Sequence, residues 1–175
     1  MYKRQAYAPV VTLGKMNLFI PLGIGLVLFP KATQRQAAGR DARPVLLLAL
    51  AATLLPGLVL TLIYWLFPGA IVRIVFGDAY TDPGRLLALV GLATTLYAGV
   101  NIWVNFALSL ERHSTIWLLA AIVVAQIAAM LLFHARLETI ALIMVAAGLL
   151  GNLAGVATTL RASSGPAAKA DVVKY

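Results

Sequence analysis

The stretch KATQRQAAGRDAR, Lys31–Arg43, decides the fold of this chain, because it is a short polar loop between two apolar runs. It sets a single acid, Asp41, against four cations, which are Lys31, Arg35, Arg40 and Arg43. Each flanking run is long enough to cross a bilayer, whose hydrocarbon core takes about 20 helical residues. Loops rich in Lys and Arg are retained on the cytoplasmic side, so the side of this loop fixes the direction of every later segment.

The overall composition points to a membrane protein. The chain has 175 residues, of which 62% are hydrophobic and 11% charged, whereas a soluble domain is about half apolar and about a quarter charged. The net charge of +8 would suggest nucleic acid if the basic residues lined a soluble face. They lie between apolar runs instead, which favours anionic membrane lipids as partners and disfavours nucleic acid. Because the chain has no cysteine, it has no disulfide framework and no thiolate site.

Hydropathy and length predict an all-α polytopic membrane protein with about five transmembrane helices, at 10–30, 44–67, 86–110, 116–133 and 139–160. Proline lies inside the first two spans, at Pro21 and Pro56, where we expect kinks. The last span contains GLLGNLAG, in which Gly151 and Gly155 have the spacing that lets helices approach closely.

The remaining segments are predicted to lie outside the membrane core. Residues 70–85 are too short to span and place apolar side chains at helical spacing, which predicts a helical stub on the membrane surface. We expect residues 1–9 to be an N-terminal stub, truncated at its start, and residues 161–175 to be a disordered cytoplasmic tail.

The distribution of basic residues tests the orientation of the five spans. With the loop 31–43 and the C-terminus inside, eight cations fall on the cytoplasmic side and five on the other. This excess predicts a multi-pass protein with the loop 31–43 and the C-terminus on the cytoplasmic side. The cations of residues 1–9 count against this orientation if that stub is native.

The third span carries one polar stripe, whose members recur every three or four residues and so share a helix face: Thr94, Tyr97, Asn101, Asn105 and Ser109. A buried amide without a hydrogen-bond partner costs several kcal/mol in lipid. The stripe therefore meets another helix, through interhelical hydrogen bonds, or a polar passage.

Three segments resemble a known transporter family: AYAPVVTLGKMNLFIPLGIGLVLFPKATQ from Ala6, YWLFPGAIVRIVFGDAY from Tyr64 and TTLYAGVNIWVNFALSLER from Thr94. With the patterns VLFP-K and LFP-x3-V-x2-VFG-x2-Y, they look like the polysaccharide or oligosaccharide flippases of the multidrug/oligosaccharidyl-lipid/polysaccharide transporter superfamily. The resemblance implies a fragment of a two-lobed protein of about twelve to fourteen helices. This chain would be a partial second lobe, and the N-terminal lobe of the same transporter would be its missing partner.

The resemblance also implies a function, which is transport of undecaprenyl-pyrophosphate-linked oligosaccharide across the cytoplasmic membrane for polysaccharide biosynthesis. The candidate substrate-binding residues are then Lys15, Asn17, Arg35, Arg40, Tyr97, Asn101 and Asn105. Lys15 could attract a pyrophosphate in a central cavity or extend to the outer interface. Arg35 and Arg40 could guide the pyrophosphate, although setting topology is the simpler interpretation.

The sequence does not favour an enzyme. All six acids lie outside the apolar spans, and we find no paired carboxylates, zinc-ligand spacing, nucleophile elbow or phosphate-binding glycine loop. No cofactor is implied. The alternatives to a flippase are a cation-coupled multidrug exporter of the same superfamily and a non-catalytic membrane subunit or scaffold of a glycan-assembly complex.

Overall fold

This computed structural model describes the chain at residues 10, 12–15, 23–24, 27–28, 30–35, 37–77, 84–111, 113–133 and 136–164. Within these ranges all regular secondary structure is helical, which confirms the all-α fold class. The main helices are α1 (Arg43–Leu66), α2 (Pro68–Phe76), α3 (Arg85–Ser109), α4 (His113–Leu132) and α5 (Leu137–Ser164).

Four of these helices, α1, α3, α4 and α5, are long and apolar enough to cross a membrane. Each begins within about three residues of the predicted start, because hydropathy and length define a membrane helix well. The chain is therefore a multi-pass α-helical membrane protein. The last helix continues to Ser164, four residues into the predicted tail, and residues 165–175 lie outside the described part.

The first predicted span, 10–30, lies partly outside the described residues, but residues near both of its ends are described. Leu13 packs in a cluster with Tyr64, close to the end of α1. Leu28 packs in a second cluster with Leu46, close to the start of α1. The two ends of the predicted span thus lie at opposite ends of α1, as a segment antiparallel to α1 requires. Pro21 itself is outside the described residues.

Part of the basic stretch is helical rather than a loop. Residues 31–35 and 37 are helical, and the chain turns only at 38–42. Ala, Gln, Arg and Lys are good helix formers, so the helix persists beyond the apolar run. It ends where Gly39 adopts a φ of +65°, a conformation that glycine enters without strain.

Proline and glycine set the boundaries of α1 and α2. Pro44 lies in the first turn of α1, where its missing N–H would have no partner in any case. Pro68 begins α2, and Gly77 ends it with a φ of +82°. Pro56 lies inside α1, which is nevertheless continuous from Arg43 to Leu66. The first part of the stub predicted at 70–85 is thus helical, as α2, with Val72 buried and Ile74 83% exposed; residues 78–83 lie outside the described part.

The helix α3 is the centre of the bundle, because α1, α4 and α5 all pack on it. It is antiparallel to α1, since Gly57 faces Thr95 while the later Tyr64 faces the earlier Gly91. It is parallel to α5, because Gly148 faces Leu96 and, further along both helices, Gly155 faces Trp103.

This arrangement gives the bundle two distinct ends. We call one the Arg43 end, where a small cavity has Arg43, Leu110 and Thr159 in its lining. We call the other the Arg85 end, where a larger groove has Trp65, Arg85 and Glu138 in its lining. Successive loops therefore lie at alternate ends of the bundle, which is the arrangement assumed when the basic residues on each side were counted.

The glycines of α5 pack against α3, as their spacing predicts. A Cβ at Gly151 would lie 2.6 Å from Val100 Cγ2, and one at Gly155 would overlap the ring of Trp103. Outside these contacts much apolar surface is exposed; Trp117 of α4 is 75% exposed. Lipid contact requires such a surface, since apolar side chains gain nothing by avoiding lipid tails.

Candidate functional site

The two ends of the polar stripe on α3 are satisfied by the helix itself. Thr94 Oγ1 donates to the carbonyls of Val90 and Gly91 at 2.9 and 3.0 Å. Ser109 Oγ donates to the carbonyl of Phe106 at 2.8 Å. Hydroxyls in membrane helices commonly bond to the preceding turn in this way. Thr94 and Ser109 thus contribute local bonds and no open binding surface.

Tyr97 makes an interhelical hydrogen bond. Its hydroxyl donates to Gln126 Oε1 of α4, and Gln126 is the one polar residue inside the predicted fourth span. The amide nitrogen of Gln126 lies 4.0 Å from Met130 Sδ. Of the two interpretations of the stripe, interhelical bonding therefore applies at Tyr97.

Asn101 and Asn105 form an amide pair on α3. Asn105 Nδ2 donates to the carbonyl oxygen of Asn101 at 2.8 Å and to its Oδ1 at 2.9 Å. Asn101 is exposed and Asn105 is half-buried. Within the described residues neither amide bonds to another helix, which leaves Asn101 Nδ2 and Asn105 Oδ1 available.

The amide pair lies at membrane depth. Asn101 is eight residues from the end of α3 at Ser109 and sixteen from its start at Arg85. At the helical rise these separations are about 12 and about 24 Å, so Asn101 lies within a hydrocarbon core of about 30 Å. An exposed amide at this depth requires water, a polar ligand or a further protein surface.

Lys15 lies near the same side of α3 as the amide pair, but closer to the Arg85 end. The adjacent Gly14 is buried against Val90 and Thr94, and Thr94 belongs to the stripe. The Lys15 side chain is exposed. Thr94 and Asn101 are seven residues apart, or about 10 Å along α3. The other candidate in this segment, Asn17, lies outside the described residues.

Two of the three arginines of the basic stretch, Arg35 and Arg43, contact Asp41 at the Arg43 end. Arg35 Nη1 donates to the Asp41 carbonyl at 3.3 Å, and the Arg43 backbone N–H donates to Asp41 Oδ1 at 2.9 Å. Arg43 Nε also lies 3.9 Å from that oxygen. Arg40 is exposed and, with Arg43, lines the cavity of about 210 Å³ at the ends of α3 and α5. Asp41 therefore contacts Arg35 through its backbone carbonyl and Arg43 through its carboxylate, and with Arg40 the surface is net positive.

Two polar contacts between helices were not predicted from the sequence. Asn152 of α5 donates from Nδ2 to the carbonyls of Leu96 at 2.9 Å and Gly148 at 2.8 Å. Thr61 of α1 lies 3.3 Å from Thr95 of α3, hydroxyl to hydroxyl. A signal was present in the first case, because Asn152 is the polar residue between Gly151 and Gly155 of GLLGNLAG.

The groove at the Arg85 end was also not predicted. It has a volume of about 620 Å³ and is lined by residues of α1, α3 and α5, including Arg85 and Glu138. Hydropathy could not reveal it, because its two charged residues are 53 positions apart, each at the start of its own helix.

Among the described residues, no group of His, Cys, Asp or Glu could hold a metal ion. Comparison of the chain with protein-family models, with curated proteins and with solved structures finds no match.

Proposed function

We propose that this chain is a portion of the second lobe of a lipid-linked glycan flippase, which moves an undecaprenyl-pyrophosphate-linked oligosaccharide across the cytoplasmic membrane. The proposal starts from the three sequence segments that resemble this family. The Arg43 end then faces the cytoplasm and the Arg85 end faces the opposite side, in agreement with the excess of Lys and Arg in the loops at the Arg43 end.

The observation that carries the proposal is the amide pair Asn101–Asn105, of which Asn101 is exposed and Asn105 half-buried. Helices α1, α4 and α5 all pack on α3, yet at membrane depth Asn101 stays exposed and Asn105 only half-buried. Lipid cannot satisfy an amide. Sugar hydroxyls can, since each is both a donor and an acceptor, and the free Asn101 Nδ2 and Asn105 Oδ1 offer the complementary donor and acceptor.

Cations at the two ends of the bundle suit the pyrophosphate. Arg40 and Arg43 at the Arg43 end present guanidinium groups, which match phosphate geometry. Lys15 lies further towards the Arg85 end. In the proposed mechanism the cations attract the head group, the amides contact the sugars, and the lipid tail stays in the bilayer. Rocking of the two lobes against each other then re-exposes the head group on the opposite side.

The test is translocation by the complete transporter to which this proposal assigns the chain, reconstituted in vesicles with an undecaprenyl-pyrophosphate oligosaccharide. Lectin binding at the far leaflet measures the rate. Replacing both amides, Asn101→Leu with Asn105→Leu, removes two hydrogen-bonding groups worth about 0.5–1.5 kcal/mol each, so we expect a loss of about tenfold or more. Lys15→Glu should lower the rate by repelling the pyrophosphate.

The matched control is Val124→Leu, an apolar change at a lipid-facing position of α4 that is 66% exposed. It should leave translocation and insertion unchanged. If the double amide variant translocates as fast as the unmodified transporter, the amides are not in the sugar path. If the unmodified transporter moves no lipid-linked glycan, the proposed function itself is wrong.

A further inference from the structure

The groove at the Arg85 end has the form of a lipid site. Its volume is about 620 Å³, within the range of about 300–1,000 Å³ that is typical of ligand pockets. Its walls are mainly leucine and alanine side chains from three helices, which are Leu58 and Leu62 of α1, Ala88, Leu89 and Leu92 of α3, and Leu142 of α5. Such walls suit an acyl chain.

The groove is open because α5 packs closely on α3 mainly at the Arg43 end. The glycines of α5 that face α3 are Gly148, Gly151 and Gly155, and the first of them follows Glu138 by ten residues, or about 15 Å. At the Arg85 end, α5 instead turns the larger Leu142 towards the groove. At the Arg85 end a space therefore remains between α1 and α5, over the surface of α3.

Two opposite charges stand at the mouth of the groove without pairing. Arg85 is the first residue of α3, and Glu138 lies in the first turn of α5; both side chains are exposed. Both line the groove, yet no ion pair joins them within the described residues. Trp65 lines the same groove, and tryptophan favours the level of the lipid head groups.

We propose that this groove binds a phospholipid of the phosphatidylethanolamine type from the leaflet at the Arg85 end. Arg85 donates to the phosphate. Glu138 accepts hydrogen bonds from the primary ammonium. A head group that carries both charges matches the separated pair Arg85 and Glu138, whereas a purely anionic head group satisfies only Arg85. This site does not depend on the proposed transport function.

The choice of ethanolamine over choline follows from hydrogen bonding. A primary ammonium has three N–H donors, as the lysine ammonium does, and a carboxylate such as that of Glu138 accepts them. A choline head group has the same charge but no N–H donor. Phosphatidylglycerol has the same phosphate with no cation. These three head groups therefore separate the contributions of Arg85 and Glu138.

The experiment uses the full chain in detergent micelles, to which lipids with brominated acyl chains are added. Bromine quenches tryptophan fluorescence at contact, and the part of the quenching that Trp65→Phe abolishes reports on the groove. Brominated phosphatidylethanolamine should reach half-maximal quenching of Trp65 at a several-fold lower mole fraction than brominated phosphatidylcholine or phosphatidylglycerol.

Variants of Arg85 and Glu138 then test the role of each charge in lipid binding. Glu138→Gln should remove the preference for phosphatidylethanolamine, and Glu138→Asp, which keeps the charge, should retain most of it. Arg85→Gln should weaken all three lipids, since each carries a phosphate. The control is Arg136→Gln, a change of an exposed cation close to Glu138 that does not line the groove; it should change none of the curves.

Several outcomes would overturn the proposal. Equal quenching by the three lipids in the unmodified chain would show that the head group is not recognised. A preference that survives Glu138→Gln would remove Glu138 from the site. Absence of Trp65-dependent quenching by any lipid would show that another helix or a second copy of the chain covers the groove.

Discussion

Replacing Gly151 by alanine tests whether α5 is held against α3 by its glycines. Gly151 is buried, and a Cβ there would lie 2.6 Å from Val100 Cγ2, whereas ordinary contacts are 3.4–4 Å. Val100 is β-branched and has a single strongly preferred rotamer in a helix, so it cannot turn aside. The two helices must therefore separate by about 0.8 Å, the difference between 2.6 and 3.4 Å.

The size of the effect follows from two opposing terms. Forcing an additional methyl group into a packed interface destabilises a protein by about 1–3 kcal/mol. Alanine also loses less conformational entropy on folding than glycine does, which stabilises the helix by about 0.5–1 kcal/mol. At their mid-range values the two terms leave a loss of about 1 kcal/mol in the free energy of unfolding of Gly151→Ala. This is roughly a fivefold change in the ratio of folded to unfolded protein.

The assay is reversible unfolding in mixed micelles as the fraction of a denaturing detergent is raised. Trp103 is buried at the α3–α5 contact, so its fluorescence reports separation of these helices. The control is Gly23→Ala, where a Cβ would meet nothing within 4 Å; this variant should be as stable as the unmodified chain or slightly more stable. An unchanged or raised stability of Gly151→Ala would refute close glycine packing between α3 and α5.

Two further predictions concern buried hydroxyls and orientation. Thr53 Oγ1 is buried with no hydrogen-bond partner within the described residues, so Thr53→Val should raise the free energy of unfolding by about 1 kcal/mol. Thr95→Val removes the hydrogen bond to the Gly91 carbonyl at 2.9 Å and should lower the free energy of unfolding by about 0.6 kcal/mol. If Thr95→Val were the more stable of these two variants in the same unfolding assay, the hydrogen-bond assignment would be contradicted. Because the chain lacks cysteine, Ala38→Cys and Leu137→Cys give single labelling sites at opposite ends of the bundle. A membrane-impermeant thiol reagent should reach Ala38→Cys only from the cytoplasm and Leu137→Cys only from the other side, and labelling of Ala38→Cys from outside would reverse the proposed orientation.

The membrane spans were predictable from the sequence because hydropathy and length act locally. The structure places α1 at Arg43–Leu66 and α3 at Arg85–Ser109, each shifted by one residue from the predicted spans 44–67 and 86–110. The spacing of Gly151 and Gly155 likewise predicted close packing, since small residues four positions apart share a helix face. The sequence did not reveal the helix at 31–35, where good helix formers extend the apolar segment into the basic stretch.

The partners of the polar residues could not be predicted, because they depend on which helix lies opposite. The spacing places Tyr97 and Asn101 on one face of α3, and nothing local separates their roles. The structure separates them, since Gln126 of α4 accepts the Tyr97 hydrogen bond, whereas Asn101 makes no hydrogen bond to another described helix. The approach of Arg85 to Glu138 at one groove likewise depends on how three helices pack.

The packing around α3 also constrains how a transporter built on this bundle would move. Glycine and threonine hold α1 against α3 at Gly57 and Gly91, and glycine holds α5 against α3 at Gly151. Such contacts resist sliding, because a small shift brings backbone and side chain into overlap. In the proposed flippase these three helices therefore move as one body. The change between inward-open and outward-open states then occurs where the N-terminal lobe would meet this bundle, at a surface that includes the exposed Asn101.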